Sequence, residues 1–95
     1  MVVVIAKFLF VDGKMEEVKE ILKELVEKTN QEAGCIEYKP YQSNENNLEV
    51  VMIEKWESQA HLDAHAKTTH FVELVGKLGD YNQKAPEIIT YKNLY

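Results

Sequence analysis

Apolar positions along the chain change their spacing several times, and each change marks a new element. Residues 2–11 are almost continuously apolar and rich in β-branched and aromatic side chains, which predicts a first strand with both faces covered. Asp12-Gly13 then turns the chain. Apolar side chains recur at helical spacing from residue 14 to residue 31, which predicts a first helix. Its apolar stripe consists of Met15, Val18, Leu22, Leu25, Val26 and Thr29.

A β-hairpin is predicted after the first helix. Gly34 lies where a chain that leaves a helix can turn. Residues 35–42 and 48–57 have the composition of strands, and the polar residues 43–47 between them form a loop. The hairpin supplies the second and third strands, and residues 86–94 supply the last one.

Two helical segments are predicted between the hairpin and the last strand. Ser58 can cap a helix over residues 59–66. Either Thr68 or Thr69 can cap a second segment, which ends at Gly79. The apolar residues of that segment recur at i, i+3, i+4 and i+7, as Phe71, Leu74, Val75 and Leu78. The chain therefore has a broken second helix.

The order β-α-β-β-α-β predicts an α+β fold of the ferredoxin-like type, in which helices cover one face of a four-stranded antiparallel sheet. Both faces of the first strand are largely apolar, but the helices cover only one of them. We therefore expect a second copy of the chain to cover the other face. The result would be a homodimer in which two sheets pack face to face as a dimeric α/β barrel.

Composition excludes several classes of partner. The chain has 95 residues, of which 45% are apolar, and so short a chain makes a single domain, residues 1–95. The net charge of −5 repels nucleic acid and anionic membranes, and lysine is the only cationic residue type, so we expect neither as a partner. No apolar stretch reaches the roughly 20 residues that span a bilayer, and Cys35 is the only cysteine. We expect a cytoplasmic protein.

A carboxylate and an indole share one face of the third strand. The two-residue period of a strand places Glu54 beside Trp56, with Met52 on the same face. Burial beside an aromatic ring would raise the pKa of the carboxyl group and suit it to exchange protons near neutral pH. The spacing by itself favours a plainer interpretation, in which Glu54 is half exposed or paired with a lysine and Trp56 only fills the core.

The three histidines follow the third strand closely. His61 and His65 share one helical face, but the glutamate of an HExxH motif is missing and Asp63 lies on another side of the helix. Only His70, beyond the helix break, offers a third ligand, so we expect no metal site. A histidine that lines a pocket and exchanges protons near pH 7 is the stronger prediction, and His65 and His70 are the candidates.

The stretch VMIEKWESQAHLDAHAKTTHF, residues 51–71, resembles the signature region of the antibiotic biosynthesis monooxygenase family. Glu54-Lys55-Trp56 matches the family's E-x-W at the end of the third strand. His65 and His70 match its pair of histidines before an aromatic residue. Upstream, EAGCIEYKPYQ at residues 32–42 resembles the family's E-G-C…Y pattern. The resemblance covers nearly the whole chain, most strongly residues 32–71.

Within that family the chain is most similar to the small quinol monooxygenases. The resemblance implies a dimer that oxidises a hydroquinone or another flat phenol with O₂, without metal, flavin or other cofactor. An apolar cavity with a few groups that transfer protons suffices for such a reaction. The resemblance also implies that Trp56 lines the site and that Glu54, His65 and His70 orient the substrate or move protons. The candidate substrate contacts are Met52, Tyr38 and Phe71.

Three other activities have to be weighed. Resemblance to the haem-degrading members would imply an axial histidine on the last helix and an asparagine on the first strand. The corresponding stretches of this chain are residues 73–76 (ELVG) and Ala6-Lys7, which argues against haem degradation. Isomerases of phosphorylated signalling sugars share a K-T-T-like turn with histidine, matched by residues 67–70. A dimer that binds a small molecule without chemistry stays open, because a fold can persist without its activity.

Overall fold

Four strands and three helices make up the fold. The structure is a computed structural model that describes the whole chain, Met1–Tyr95. The strands are β1 (Val2–Leu9), β2 (Cys35–Gln42), β3 (Glu49–Trp56) and β4 (Glu87–Lys92). The helices are α1 (Met15–Thr29), α2 (Gln59–Ala66) and α3 (Thr69–Gly79). None of the helices is both long enough and apolar enough to cross a membrane.

The strands form one antiparallel sheet in the order β2-β3-β1-β4. This arrangement confirms the predicted ferredoxin-like α+β fold. Several elements are shorter than predicted. β1 ends at Leu9, because Phe10 forms only an isolated bridge with Asn82 and Val11 donates its N–H to the carbonyl of Tyr81. β4 begins after Pro86, which has no N–H for the ladder.

The core lies between one face of the sheet and the helices. In β3 every second residue is buried on that face, and those residues are Val50, Met52, Glu54 and Trp56. α1 buries Val18, Leu22, Leu25 and Thr29, all members of the predicted stripe. α3 buries Leu74 and Leu78. The helical and strand periods in the sequence therefore identify the core faces of α1, β3 and α3 correctly.

Capping residues and one glycine set the chain path around α2. Ser58 Oγ accepts the N–H of His61 at 3.3 Å, and Thr68 Oγ1 accepts the N–H of Phe71 at 3.2 Å, so Thr68 rather than Thr69 is the cap of α3. Gly34 has a φ of +80°, as a left-handed turn after α1 requires. A Cβ atom at Gly34 would collide with the ring of His61.

The opposite face of the sheet has no cover within one chain. Val3, Ile5, Val51 and Ile53 are only half-buried there. Larger apolar side chains at the margins are about half exposed, with relative exposures of 45% for Tyr41, 50% for Ile89 and 49% for Tyr91. Such a contiguous apolar surface is unusual for a chain that stays single in water.

Candidate active site

A small cavity of about 60 Å³ lies between the sheet and helices α1 and α3. All three predicted substrate contacts, Tyr38, Met52 and Phe71, line it, and so does Glu54. The other lining residues are Ala6, Phe8, Leu22, Leu25, Val75, Pro86 and Ile88. Ile88 is 61% exposed, so the cavity comes close to the protein surface at the start of β4.

Glu54 supplies the only carboxyl group on the cavity wall. Its side chain is buried, and Trp56 Nε1–H donates a hydrogen bond of 3.0 Å to Glu54 Oε1. Burial raises the pKa of Glu54 to about 7, while the bond from Trp56 acts in the opposite direction. The plainer interpretation is therefore wrong for Glu54, which is neither half exposed nor paired with a lysine. Lys55 pairs with Glu37 instead.

Trp56 fills the core, as that interpretation expected, and also holds the carboxyl group. Its ring is fully buried and does not line the cavity. The Tyr38 ring lies edge-on to Trp56, with 6.5 Å between centroids. Burial raises the pKa of the Tyr38 hydroxyl far above its ordinary value, so this group stays protonated.

His65 lies directly behind the cavity wall, inside a group of aromatic rings. Its ring centroid is 4.7 Å from that of Trp56, 4.7 Å from that of Phe71 and 5.3 Å from that of Tyr38. Burial lowers the pKa of His65, which favours the neutral imidazole, and the bond to Glu32 opposes this effect. His65 Nε2 is buried and has no hydrogen-bond partner.

Glu32 joins two of the three histidines that follow β3. Glu32 Oε2 lies 2.8 Å from His65 Nδ1 and 2.7 Å from His70 Nε2. The structure therefore brings His65 and His70 together through Glu32, a residue that the sequence analysis assigned no role. His61 stands apart, with its Nδ1 2.8 Å from Ser58 Oγ.

The family model for antibiotic biosynthesis monooxygenases matches residues 1–77 of the chain. The chain belongs to the antibiotic biosynthesis monooxygenase family. Its predicted resemblance to that family is thus confirmed. A relative from Synechocystis, the uncharacterized protein sll1783, is 34% identical over 79 residues, which are 83% of this chain and 54% of the relative. The chain spans about half the length of this curated relative.

Solved structures share the whole fold of this antibiotic biosynthesis monooxygenase family member. A conserved protein from Methanosarcina mazei is similar with a TM-score of 0.93 and 35% identity, over 96% of this chain and 90% of that one. An antibiotic biosynthesis monooxygenase is similar with a TM-score of 0.96 and 29% identity, over 100% of both chains.

Side chains in and next to the turn between α2 and α3 of this family member form hydrogen bonds within the protein. Thr68 Oγ1 donates to the carbonyl of His65 at 2.8 Å while it caps α3, and His70 binds Glu32. Thr68 and His70 of the K-T-T-H stretch are thus engaged within the protein. A phosphate at this turn would have to compete with those bonds.

Proposed function

We propose that this family member is a cofactor-independent monooxygenase that oxidises a quinol or another flat phenol with O₂ in the cavity between the sheet and the helices. The observation that carries the proposal is the single buried carboxyl group of Glu54 in an otherwise apolar wall. Membership of a monooxygenase family supports the reaction class. The lining by Tyr38, Met52 and Phe71 supports a flat aromatic substrate.

The proposed chemistry needs one proton acceptor in a dry cavity. Glu54 takes the proton of a phenolic hydroxyl, while the N–H of Trp56 holds the carboxylate in one orientation. The apolar wall excludes water from the phenolate, which supplies electrons to O₂. With a naphthohydroquinone, one oxygen atom enters the ring as a hydroxyl group and the other leaves as water. The products are a hydroxynaphthoquinone and water, and all the electrons come from the substrate.

His65 and His70 have a less direct role in this proposal, because neither lines the cavity. His65 is hydrogen-bonded to Glu32, and its ring packs against the ring of Trp56. Trp56 in turn donates a hydrogen bond to Glu54. We propose that this line of contacts positions Trp56 and, through it, the carboxylate. His70 supports the same line, because it binds the oxygen of Glu32 that also binds His65.

The cavity must enlarge to hold an aromatic ring. Its volume of about 60 Å³ is well below the roughly 300 Å³ at which ordinary ligand sites begin. The wall beside β4 is the part with the weakest support, because β4 is an edge strand and all its residues are exposed. We propose that the substrate enters past Pro86 and Ile88, and that this wall moves outward as it does.

A homodimer is part of the proposal. The apolar outer face of the sheet supports it, since a second sheet would remove this surface from water. Four charged residues on that face form pairs within the chain, Lys7 with Glu49 and Lys55 with Glu37, and Lys39 lies over the ring of Tyr41. Two such faces can therefore meet with little repulsion.

Oxygen uptake tests the proposed reaction. Chelator-treated protein is mixed with benzo- and naphthohydroquinols, and the rate of uncatalysed autoxidation is subtracted. We expect saturable uptake that Glu54→Gln lowers by about 100-fold, because this variant keeps the shape of the side chain but cannot accept the proton. Glu24→Gln, an exposed glutamate on α1, is the matched control and should leave the rate unchanged.

Three results would count against the proposal. Uptake no faster than autoxidation across the panel would leave a binding role, which tight association of a quinol without its consumption would support. Turnover of a phosphorylated sugar without O₂ would favour an isomerase. Full activity in a folded Glu54→Gln variant would remove the carboxyl group from the mechanism.

A further inference from the structure

Three potential metal ligands meet outside the cavity. Glu32 Oε2, His65 Nδ1 and His70 Nε2 all lie within 4.8 Å of one another. They come from the turn after α1, from α2 and from α3. We propose that this cluster, Glu32-His65-His70, is a binding site for one divalent transition-metal ion of the zinc type in each chain. The sequence argument against a metal considered the pair His61 and His65 and overlooked Glu32.

The backbone around each ligand is held in place. The N–H of Glu32 donates to the carbonyl of Thr29 at 3.0 Å, and its own carbonyl accepts from Cys35 at 3.3 Å. Thr68 connects the end of α2 to the start of α3 through its hydrogen bonds to the backbone of His65 and Phe71. These bonds fix the position of the backbone at His70. The ligands are thus held close together before an ion binds, so little conformational entropy is lost on binding.

Small movements would convert the hydrogen-bonded cluster into a metal site. Zinc bonds to nitrogen and oxygen ligands measure about 2.0–2.2 Å, which places neighbouring ligand atoms of a tetrahedral site roughly 3.3 Å apart. The present contacts to Glu32 Oε2 are 2.8 and 2.7 Å, because a proton lies between each pair of atoms. The oxygen therefore has to move away from each nitrogen by about half an ångström, and the two nitrogens, which lie within 4.8 Å of each other, have to reach a separation of about 3.3 Å.

Metal binding requires each histidine of the cluster to move its ring proton to the other ring nitrogen. An ionised carboxylate can only accept, so both imidazoles now donate a ring N–H to Glu32. On metal binding, the proton of His65 moves from Nδ1 to Nε2, which has no partner now, and that of His70 moves from Nε2 to Nδ1. Imidazoles bind a metal ion in their neutral form, and one carboxylate offsets half of the ion's charge.

The donor set also selects the kind of ion. Two imidazole nitrogens and one carboxylate oxygen suit zinc, cobalt, nickel or copper, whereas magnesium and calcium prefer oxygen ligands only. Glu32 forms no ion pair with a lysine that would compete for the carboxylate. The side chains of Glu32 and His70 are 13% and 18% exposed, which leaves a side open for water to complete the coordination.

This inference does not rest on the proposed oxygenase activity. None of the three ligands lines the cavity, so binding can be measured without a substrate. An ion in the cluster would occupy both imidazoles, which is why the oxygen-uptake experiment uses chelator-treated protein. Failure of one proposal therefore leaves the other standing.

Calorimetric titration of the chelator-treated full chain with zinc chloride tests the site. We expect one ion per chain with a micromolar or tighter Kd, and no heat from magnesium. Cobalt(II) provides a second probe, because its visible absorption bands change when imidazole replaces water as a ligand. Absence of saturable zinc binding at micromolar concentrations would overturn the proposal.

Variants locate the binding. His70→Ala and Glu32→Gln should each weaken zinc binding at least about tenfold and reduce the cobalt bands. His61→Ala is the matched control, because His61 lies on the same helix as His65 but binds Ser58, and it should bind zinc as the native chain does. Glu32→Gln preserves side-chain shape and serves if His70→Ala does not fold. Equal loss in His61→Ala, or native affinity in both ligand variants, would place the binding outside this cluster and overturn the proposal.

Discussion

Glu54 owes its chemical character to neighbours from several elements. It lies on β3 among apolar side chains of β1, α1 and α3, and these remove water from the carboxyl group. Desolvation raises its pKa to about 7, and the negative charge of Glu32 adds to the increase. The indole N–H of Trp56 limits the increase by stabilising the ionised form. The titration of this one group therefore links the site to pH in two measurable ways.

Trp56→Phe should move the pH dependence of the proposed activity to higher pH. The native kcat/KM should rise with pH through about 7, because Glu54 accepts a proton only when ionised. Phenylalanine keeps most of the ring but cannot donate a hydrogen bond, so the pKa of Glu54 rises further. A pH profile of kcat/KM for both proteins checks this. An acid limb at the same pH in both would show that Trp56 does not act on Glu54.

Glu54 should also make stability depend on pH. Its pKa is about 7 in the folded protein against an ordinary value of 4.5, so the folded state binds more protons between these two values. The free energy of unfolding therefore falls as pH rises from about 4.5 to about 7, by on the order of 3 kcal/mol in total. Urea unfolding of the native protein and of Glu54→Gln across this range isolates the contribution. Parallel curves for the two proteins would contradict it.

Residue-level prediction from sequence was limited by distance along the chain. The two-residue period of β3 placed Glu54 on the face of Met52 and Trp56, but it could not show that α1 and α3 cover that face. Glu32 was missed because its partners His65 and His70 lie 33 and 38 positions away. The available signal was its place at the start of the EAGC stretch, next to the left-handed Gly34.

At the scale of elements, the turn after α1 and the break between α2 and α3 create the site. Gly34 lets the chain reverse immediately after Glu32 and lets the ring of His61 pack against its backbone. Thr68 ends one helix and begins the next, so His65 and His70 reach the same carboxylate from two helices. A continuous helix would place residues five positions apart on different sides of its axis.

Gly34→Ala should destabilise the protein by about 2 kcal/mol or more, because the new Cβ is strained at this φ and also collides with His61. Gly13→Ala is the matched control. Gly13 has nearly the same φ of +82°, but a Cβ there meets nothing within 4 Å. It should cost only about 1 kcal/mol. Urea unfolding measures both variants, and equal losses would show that the contact with His61 contributes nothing.

The element order was predictable because its signals are local. Helical and strand periods, the caps Ser58 and Thr68, and the turn at Gly34 all lie within a few residues of the elements that they define. The C-terminal ends of β1 and β4 were not, because they depend on pairing with distant residues. Phe10 leaves the ladder where it meets Asn82, far along the sequence.

At the scale of the whole molecule, the uncovered apolar face of the sheet is the main unexplained surface of a single chain. Ile53→Asp, at a half-buried position of that face, should convert the proposed dimer into a folded monomer, because it places a charge where two sheets would meet. Val72→Asp is the control, since Val72 is 61% exposed on α3. Sedimentation velocity checks both. A native monomer at micromolar concentration, or dissociation of both variants, would contradict the proposed interface.

The proposed oxygenase activity is tested most directly with labelled oxygen. Chelator-treated protein, a naphthohydroquinone and ¹⁸O₂ are mixed, the reaction is stopped early, and the product is analysed by mass spectrometry. We expect a hydroxynaphthoquinone that carries one ¹⁸O atom in the native protein and almost none of this product with Glu54→Gln. An unlabelled quinone formed together with hydrogen peroxide, or labelled product at the rate of a protein-free control, would contradict a monooxygenase at this cavity.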